Sequence, residues 1–177
     1  RRSLLFVLML LVLAVSALIA QDFTVPMKNG SVKFAVIGDT GTGDKHQVAV
    51  AKQLAATRAK FPFEFVIMVG DNIYGGNSAR DYDRKFAIPY KPLLDANIKF
   101  YAALGNHDDP SERYYKPFNM SGERYYTFKP ADGVRFFALD SNYMDEMQLK
   151  WLDEQLATSG SEWKIAFFHH PPYSSGE

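Results

Sequence analysis

Four short blocks of oxygen- and imidazole-bearing residues punctuate this chain, and each stands where an apolar run ends. They are Gly38-Asp39-Thr40-Gly41, Gly70-Asp71-Asn72-Ile73-Tyr74, Gly105-Asn106-His107-Asp108 and His169-His170-Pro171-Pro172. The runs before them, residues 32–37, 65–69, 100–104 and 165–168, read as buried strands. In an open α/β sheet, strand ends converge on one crevice, so four such blocks predict one site. Carboxylate, phenolate, amide and imidazole together are the ligand set of a hard or borderline metal, or of a pair of them.

Each block also has a plainer reading. An Asp after Gly at a strand end is often a helix cap or turn former. Tyr74 alone reads as a packed aromatic and Asn106 alone as a turn residue. The order of the set and its strand context favour the metal reading.

The rest of the chain fits a single mixed-sheet α/β domain over residues 32–177. Its 177 residues suffice for a sizeable core. Residues 45–60 read as a helix capped from Asp44, with Val50, Ala51, Leu54 and Ala55 on its inner face. A short helix is expected over 80–86, a break between Pro89 and Pro92, and a strand over 99–104. Residues 110–119 read as a loop. Pro130-Ala131-Asp132-Gly133 reads as a hairpin turn between runs at 125–128 and 134–139. A helix over 144–157 carries Leu149, Leu152 and Leu156 on one stripe, and a last strand covers 164–168.

Lys plus Arg and Asp plus Glu each number 20, which gives no support to a nucleic-acid or anionic-membrane partner. The absence of Cys excludes disulfides and thiolate metal sites. Arg1-Arg2 precedes an apolar stretch from Leu4 to Ala20 with small residues near its end. Residues 1–20 therefore read as a secretory signal peptide, with cleavage after Ala17 or Ala20, and 21–31 as an irregular lead-in. The stretch is shorter than the ~20 residues of a spanning helix. A secreted or periplasmic product follows, with no stable membrane partner once the signal is removed.

The four blocks, in this order, resemble those of the calcineurin-like metallophosphoesterases. Tyr74, three residues after Asp71, makes the likeness closest to the purple acid phosphatase branch, which includes the tartrate-resistant acid phosphatases. The resemblance runs from about Val32 to the last residue. It implies a mixed β-sandwich flanked by helices, in α-β-β-α layers. A Gly-His-x-His block expected further on is absent before Glu177, so the expectation is a chain incomplete at its C-terminus that, by itself, binds metal weakly and is inactive.

The resemblance also implies roles. Two metal ions would acidify a water and neutralise charge on a phosphate ester. Asp71 would bridge them, Asp39 and Tyr74 would complete the first site, and Asn106 and a downstream His the second. Phenolate favours a ferric ion in the first site, with iron, zinc or manganese in the second. Asn106 and His107 would contact substrate, and His107 would protonate the leaving group as the catalytic acid. Its alternative is to orient a neighbouring ligand. Asp108 reads as a support for ligands. Between His169 and His170, an ungapped match to the family pattern favours His169, because successive strand residues face opposite ways. The expected activity is hydrolysis of small phosphate monoesters. A phosphodiesterase and a non-catalytic phosphate- or metal-binding fragment are the alternatives.

Overall fold

The computed structural model describes residues 27–175. The signal-peptide reading of 1–20 and most of the lead-in lie outside the described residues. Among the described residues, no helix is long and apolar enough to cross a membrane.

Three strands, β1 (Phe34–Ile37), β2 (Phe65–Val69) and β3 (Lys99–Ala103), form a parallel sheet in the order β1-β2-β3. β2 is the central strand, and its unbroken Phe-Val-Ile-Met-Val run is what a strand covered on both faces requires. Alternate side chains divide the core. Val66 and Met68 pack with Phe100, Ala102, Phe86 and Leu93 in one apolar layer. Phe65 and Ile67 face the other way and join Ala103, Phe136 and Phe167 in a second.

That second layer lies between two sheets. The other sheet contains β4 (Tyr126–Ala131), β5 (Val134–Ala138) and β6 (Trp163–Phe167) in the order β4-β5-β6. β4 and β5 are antiparallel, with a register shift between Phe128 and Ala131, where Pro130 has no N–H to give the ladder. β5 and β6 are parallel. Phe65 sets its ring edge-on to Phe136 at 5.4 Å and to Phe128 at 5.6 Å, and Phe34 meets Phe136 edge-on at 5.1 Å, so aromatic rings join the two sheets.

Helix α1 (Lys45–Lys60) connects β1 to β2 over the bounds expected from the sequence. Its cap is Asp44, whose side chain accepts from His46 N and Gln47 N. The buried side chains of this helix are Gln47 and Ala51; Val50 is exposed, not inward as the periodicity predicts. The expected 80–86 helix is one turn of α-helix, α2 (Ala79–Tyr82), continued by one turn of π-helix at Asp83–Ala87. Pro92 sits in the first turn of α3 (Lys91–Asp95), where its missing N–H costs nothing. The expected loop over 110–119 contains two 3-10 turns, Pro110–Tyr114 and Lys116–Phe118.

Helix α4 (Glu146–Ala157) connects β5 to β6. Its leucine stripe is not the buried face: Leu149 and Leu156 are exposed. The fully buried residue is Gln148, whose amide holds Asp140 N, Asp140 O and Tyr143 O. Those polar bonds fix the rotation of the helix, and a leucine count cannot register them.

Candidate metal centre

The parallel sheet brings the ends of β1, β2 and β3 to one edge, and the loops leaving β1 and β2 are joined through their backbones. Asp39 N donates to Gly70 O at 3.0 Å, Gly41 N to Asp71 O at 3.3 Å, and Tyr74 N to Gly41 O at 2.9 Å. Asp39 and Asp71 both take left-handed backbone, with φ of 55° and 52°. That region disfavours a residue with a Cβ, and short polar side chains tolerate it best. Two such residues at adjacent strand ends aim both carboxylates the same way.

One oxygen each from Asp39 and Asp71 and one nitrogen from His169 all lie within 4.8 Å of one another. The Tyr74 hydroxyl closes one side, 2.7 Å from Asp71 Oδ2 and 3.4 Å from Asp39 Oδ1. Asn106 closes the other, with Oδ1 3.1 Å from His169 Nε2. All five sequence-predicted ligand candidates thus meet in one cluster, drawn from four separate strand ends.

The donor chemistry of this cluster fits a cation. His169 Nδ1 lies 3.0 Å from the Val69 carbonyl, which can only accept, so the proton of the neutral ring sits on Nδ1. Nε2 then presents a lone pair toward Asn106 Oδ1 and toward Asp71 Oδ1 at 3.5 Å. With the ring neutral these atoms are acceptors facing one another, an arrangement that a cation between them satisfies, as a second proton on the ring also does. Space is also left for these groups. A Cβ on Gly105 would lie 2.2 Å from Asp71 Oδ1, and one on Gly70 2.6 Å from His169 Nδ1. Burial, then the hydrogen bond to Asp71 and the charges of Asp71 and Asp39, raise the Tyr74 phenol well above its usual range. Without a cation Tyr74 is therefore a neutral phenol that donates to Asp71.

His107 stands at the rim. Its backbone N–H donates to Asp71 Oδ1 at 3.1 Å, and its exposed imidazole lies beside Tyr74 with ring centroids 5.2 Å apart. Asp108 lies beneath. Its carboxylate accepts from Asn72 N, Ile73 N, Gly105 N and Asn72 Nδ2, at 2.6 to 3.0 Å, and so binds the Asp71 loop to the Asn106 loop. Burial pushes this carboxyl up, while those backbone donors pull it down. His170 turns away from the cluster. Its Nδ1 lies 2.9 Å from Ser141 Oγ, on the wall of a cavity of about 690 Å³ that Asn106, Arg124 and Tyr143 also line.

Two supports were not legible beforehand. Lys85, almost fully buried in the π-helical turn, donates from Nζ to Tyr74 O at 2.6 Å and to Asp81 Oδ1 at 2.7 Å. Gln47 links the Lys85 carbonyl to Gly43 N of the Asp39 loop. Neither belongs to a ligand block, and the only advance signal was a buried-face position on a helix.

The comparisons with known proteins agree with this geometry. The Calcineurin-like phosphoesterase family profile matches residues 32–177. Purple acid phosphatase 17 of Arabidopsis thaliana is 27% identical over 192 residues, covering 88% of this chain and 57% of that protein. Tartrate-resistant acid phosphatase type 5 of Rattus norvegicus is 24% identical over 189 residues, covering 83% and 58%. The chain thus spans a little over half the length of these curated relatives. The crystal structure of a dimetal phosphatase from Danio rerio superposes with a TM-score of 0.63 at 17% identity, over 80% of this chain and 70% of that one, and shares its fold. The matched blocks and the sandwich that gathers them place the chain in the calcineurin-like phosphoesterase family.

Proposed function

We propose that this chain carries the metal-holding part of a phosphate-ester hydrolase that acts on small phosphate monoesters. The observation that supports this most is the set of facing acceptors at His169 Nε2, Asn106 Oδ1 and Asp71 Oδ1. The relatives' names, purple and tartrate-resistant acid phosphatases, point the same way.

In this reading Asp39, Tyr74 and Asp71 hold one ion, and Asp71, Asn106 and His169 hold a second. A ferric ion suits the first because of the phenolate, and iron, zinc or manganese suits the second. When bound, the two ions supply Lewis acidity to the phosphoryl group and to the attacking water. The residues do the remainder. Asn106 orients a phosphoryl oxygen. His107, exposed beside the cluster, gives its proton to the departing ester oxygen as the P–O bond breaks and water supplies the new one. Asp108 keeps both loops in place. Export follows from the pattern of residues 1–20, and the net charge of zero gives no basis for nucleic-acid binding.

Metal titration followed by calorimetry and elemental analysis, with p-nitrophenyl and bis(p-nitrophenyl) phosphate assayed in mild acid, tests the reading. Two ions per molecule and faster monoester than diester hydrolysis are expected of the whole phosphoesterase. Diester preference would replace the substrate class. Absence of binding in wild type, at the level of Asp71→Ala, would end the metal reading.

A further inference from the structure

Four hydrogen bonds close a ring beside the metal cluster, on the side of Asp39 and Tyr74. Tyr74 N donates to Gly41 O at 2.9 Å. Lys85 Nζ donates to Tyr74 O at 2.6 Å. Gln47 Nε2 donates to Lys85 O. Gly43 N, in the same loop as Gly41, donates to Gln47 Oε1 at 2.6 Å and closes the circuit. The ring thus passes through the Asp39 loop, the Tyr74 loop, the π-helical turn and α1. None of its four bonds involves Asp71, Asn106 or His169.

The residue types explain each link. In a continuing helix Lys85 O would accept from residue 89, but that residue is Pro and has no N–H. The buried Gln47 amide satisfies the carbonyl instead. The Lys85 ammonium is almost fully buried, and Asp81 neutralises it at 2.7 Å. Ser78 N and Ser78 Oγ donate to the same carboxylate. Gly43, at φ 70°, allows the close approach, since a Cβ there would lie 2.9 Å from Lys85 Cγ. Tyr74 therefore has both backbone polar groups tied, although it lies outside every helix and strand. Single π-helical turns recur at functional sites, and here the turn supplies the donor that holds Tyr74. On the other side of the cluster Asp108 braces the loops of Asp71 and Asn106 by separate bonds.

We propose that Lys85 is a positioning residue for one of the two ions. Through the ring it holds Tyr74 against the Asp39 loop, and so decides whether those two side chains can share an ion. Asp108 braces the second position independently. The assignment to an ion rests on the phosphohydrolase reading; the ring as a single mechanical unit does not. Loosening the ring should release the ion at Asp39 and Tyr74 and leave the ion at Asn106 and His169 bound.

Amide exchange of metal-free protein reads the ring at atoms that the substitutions do not touch. Lys85→Met removes the donor to Tyr74 O, and exchange is followed at Gly43 N. Gln47→Met opens the ring on its other side, and exchange is followed at Tyr74 N. Each should be about tenfold faster than in wild type, the size of one lost hydrogen bond, with Asn72 and Ile73 unchanged. Lys85→Arg should restore slow exchange at Gly43. In the whole phosphoesterase, elemental analysis should give two ions for wild type and for Lys85→Arg. Lys85→Met should keep one and lose the visible band of a ferric phenolate. Wild-type exchange at Gly43 in Lys85→Met, equal acceleration at Asn72 and Ile73, or two ions with the band intact would each overturn the proposal. If Lys85→Met does not fold, Gln47→Met decides it by the same ion count and by exchange at Tyr74. Wild type without ions would remove the metal reading, and the exchange comparison would still decide whether Lys85 positions Tyr74.

Discussion

The Tyr74 hydroxyl lies 2.7 Å from Asp71 Oδ2, so a phenol three residues along the same loop donates to the carboxylate at the centre of the cluster. Asp71 is also held through Oδ1 by His107 N at 3.1 Å. One carboxylate thus touches both a candidate ligand and the backbone of the candidate acid.

Tyr74→Phe removes that donor and the hydroxyl that would become the phenolate ligand of a bound ferric ion. Wild type loaded with ferric ion should absorb visible light through phenolate-to-iron charge transfer, and Tyr74→Phe should lose the band while keeping Asp39 and Asp71. An unchanged visible spectrum would remove Tyr74 from the first site.

Asp71→Ala and His107→Ala should separate binding from proton transfer. Asp71→Ala should empty the site by elemental analysis, because both proposed ions share that carboxylate. His107→Ala should keep the metal and lower p-nitrophenyl phosphate hydrolysis by ~10²–10⁴-fold. Loss of metal from His107→Ala would make His107 a ligand.

Gly105→Ala should damage the cluster from behind. The added Cβ would lie 2.2 Å from Asp71 Oδ1 and 2.4 Å from Asp71 N, against atoms that have no room to retreat. Overpacking of this kind costs ~1–3 kcal/mol. Urea unfolding should show that loss, together with weaker metal binding. A stability equal to wild type would mean that the loop relaxes freely.

Lys85→Met should destabilise the protein by ~1–3 kcal/mol, since it leaves the Tyr74 carbonyl without its donor. Lys85→Arg, which keeps charge and donor, should recover part of the loss. Chemical denaturation of the three proteins decides this. Equal stability of Lys85→Met and wild type would show that water replaces the ammonium at no cost.

What could be read in advance follows from which forces act locally. α1 was legible to the residue and β2 to within two residues at its start, because an Asp44 cap and a run of β-branched and apolar residues express themselves within a few positions. That the candidate side chains would gather at one edge of the sheet was legible because Gly-Asp and Gly-Asn-His-Asp at strand ends keep a fixed order along the chain. The inward face of α4 was not, because Gln148 bonds to loop groups around Asp140 and Tyr143 set its rotation. Nor were the 3-10 turns over 110–118, where the Asp109 and Glu112 side chains satisfy backbone donors that a loop reading leaves to water.

The sequence by itself determined the strands β1, β2 and β3, the helix between β1 and β2, and which residue types would gather at the strand ends. Hydrophobic period and turn chemistry are short-range, and they are written residue by residue. Only the tertiary structure decided that His169 rather than His170 faces Asp71, that Asp108 ties two loops together, and that Lys85 and Glu112 lie buried behind them. Those outcomes depend on which groups meet across more than thirty residues of chain, as Asn72 and Asp108 do. A buried charge or acid becomes tolerable only when its partner arrives from another element.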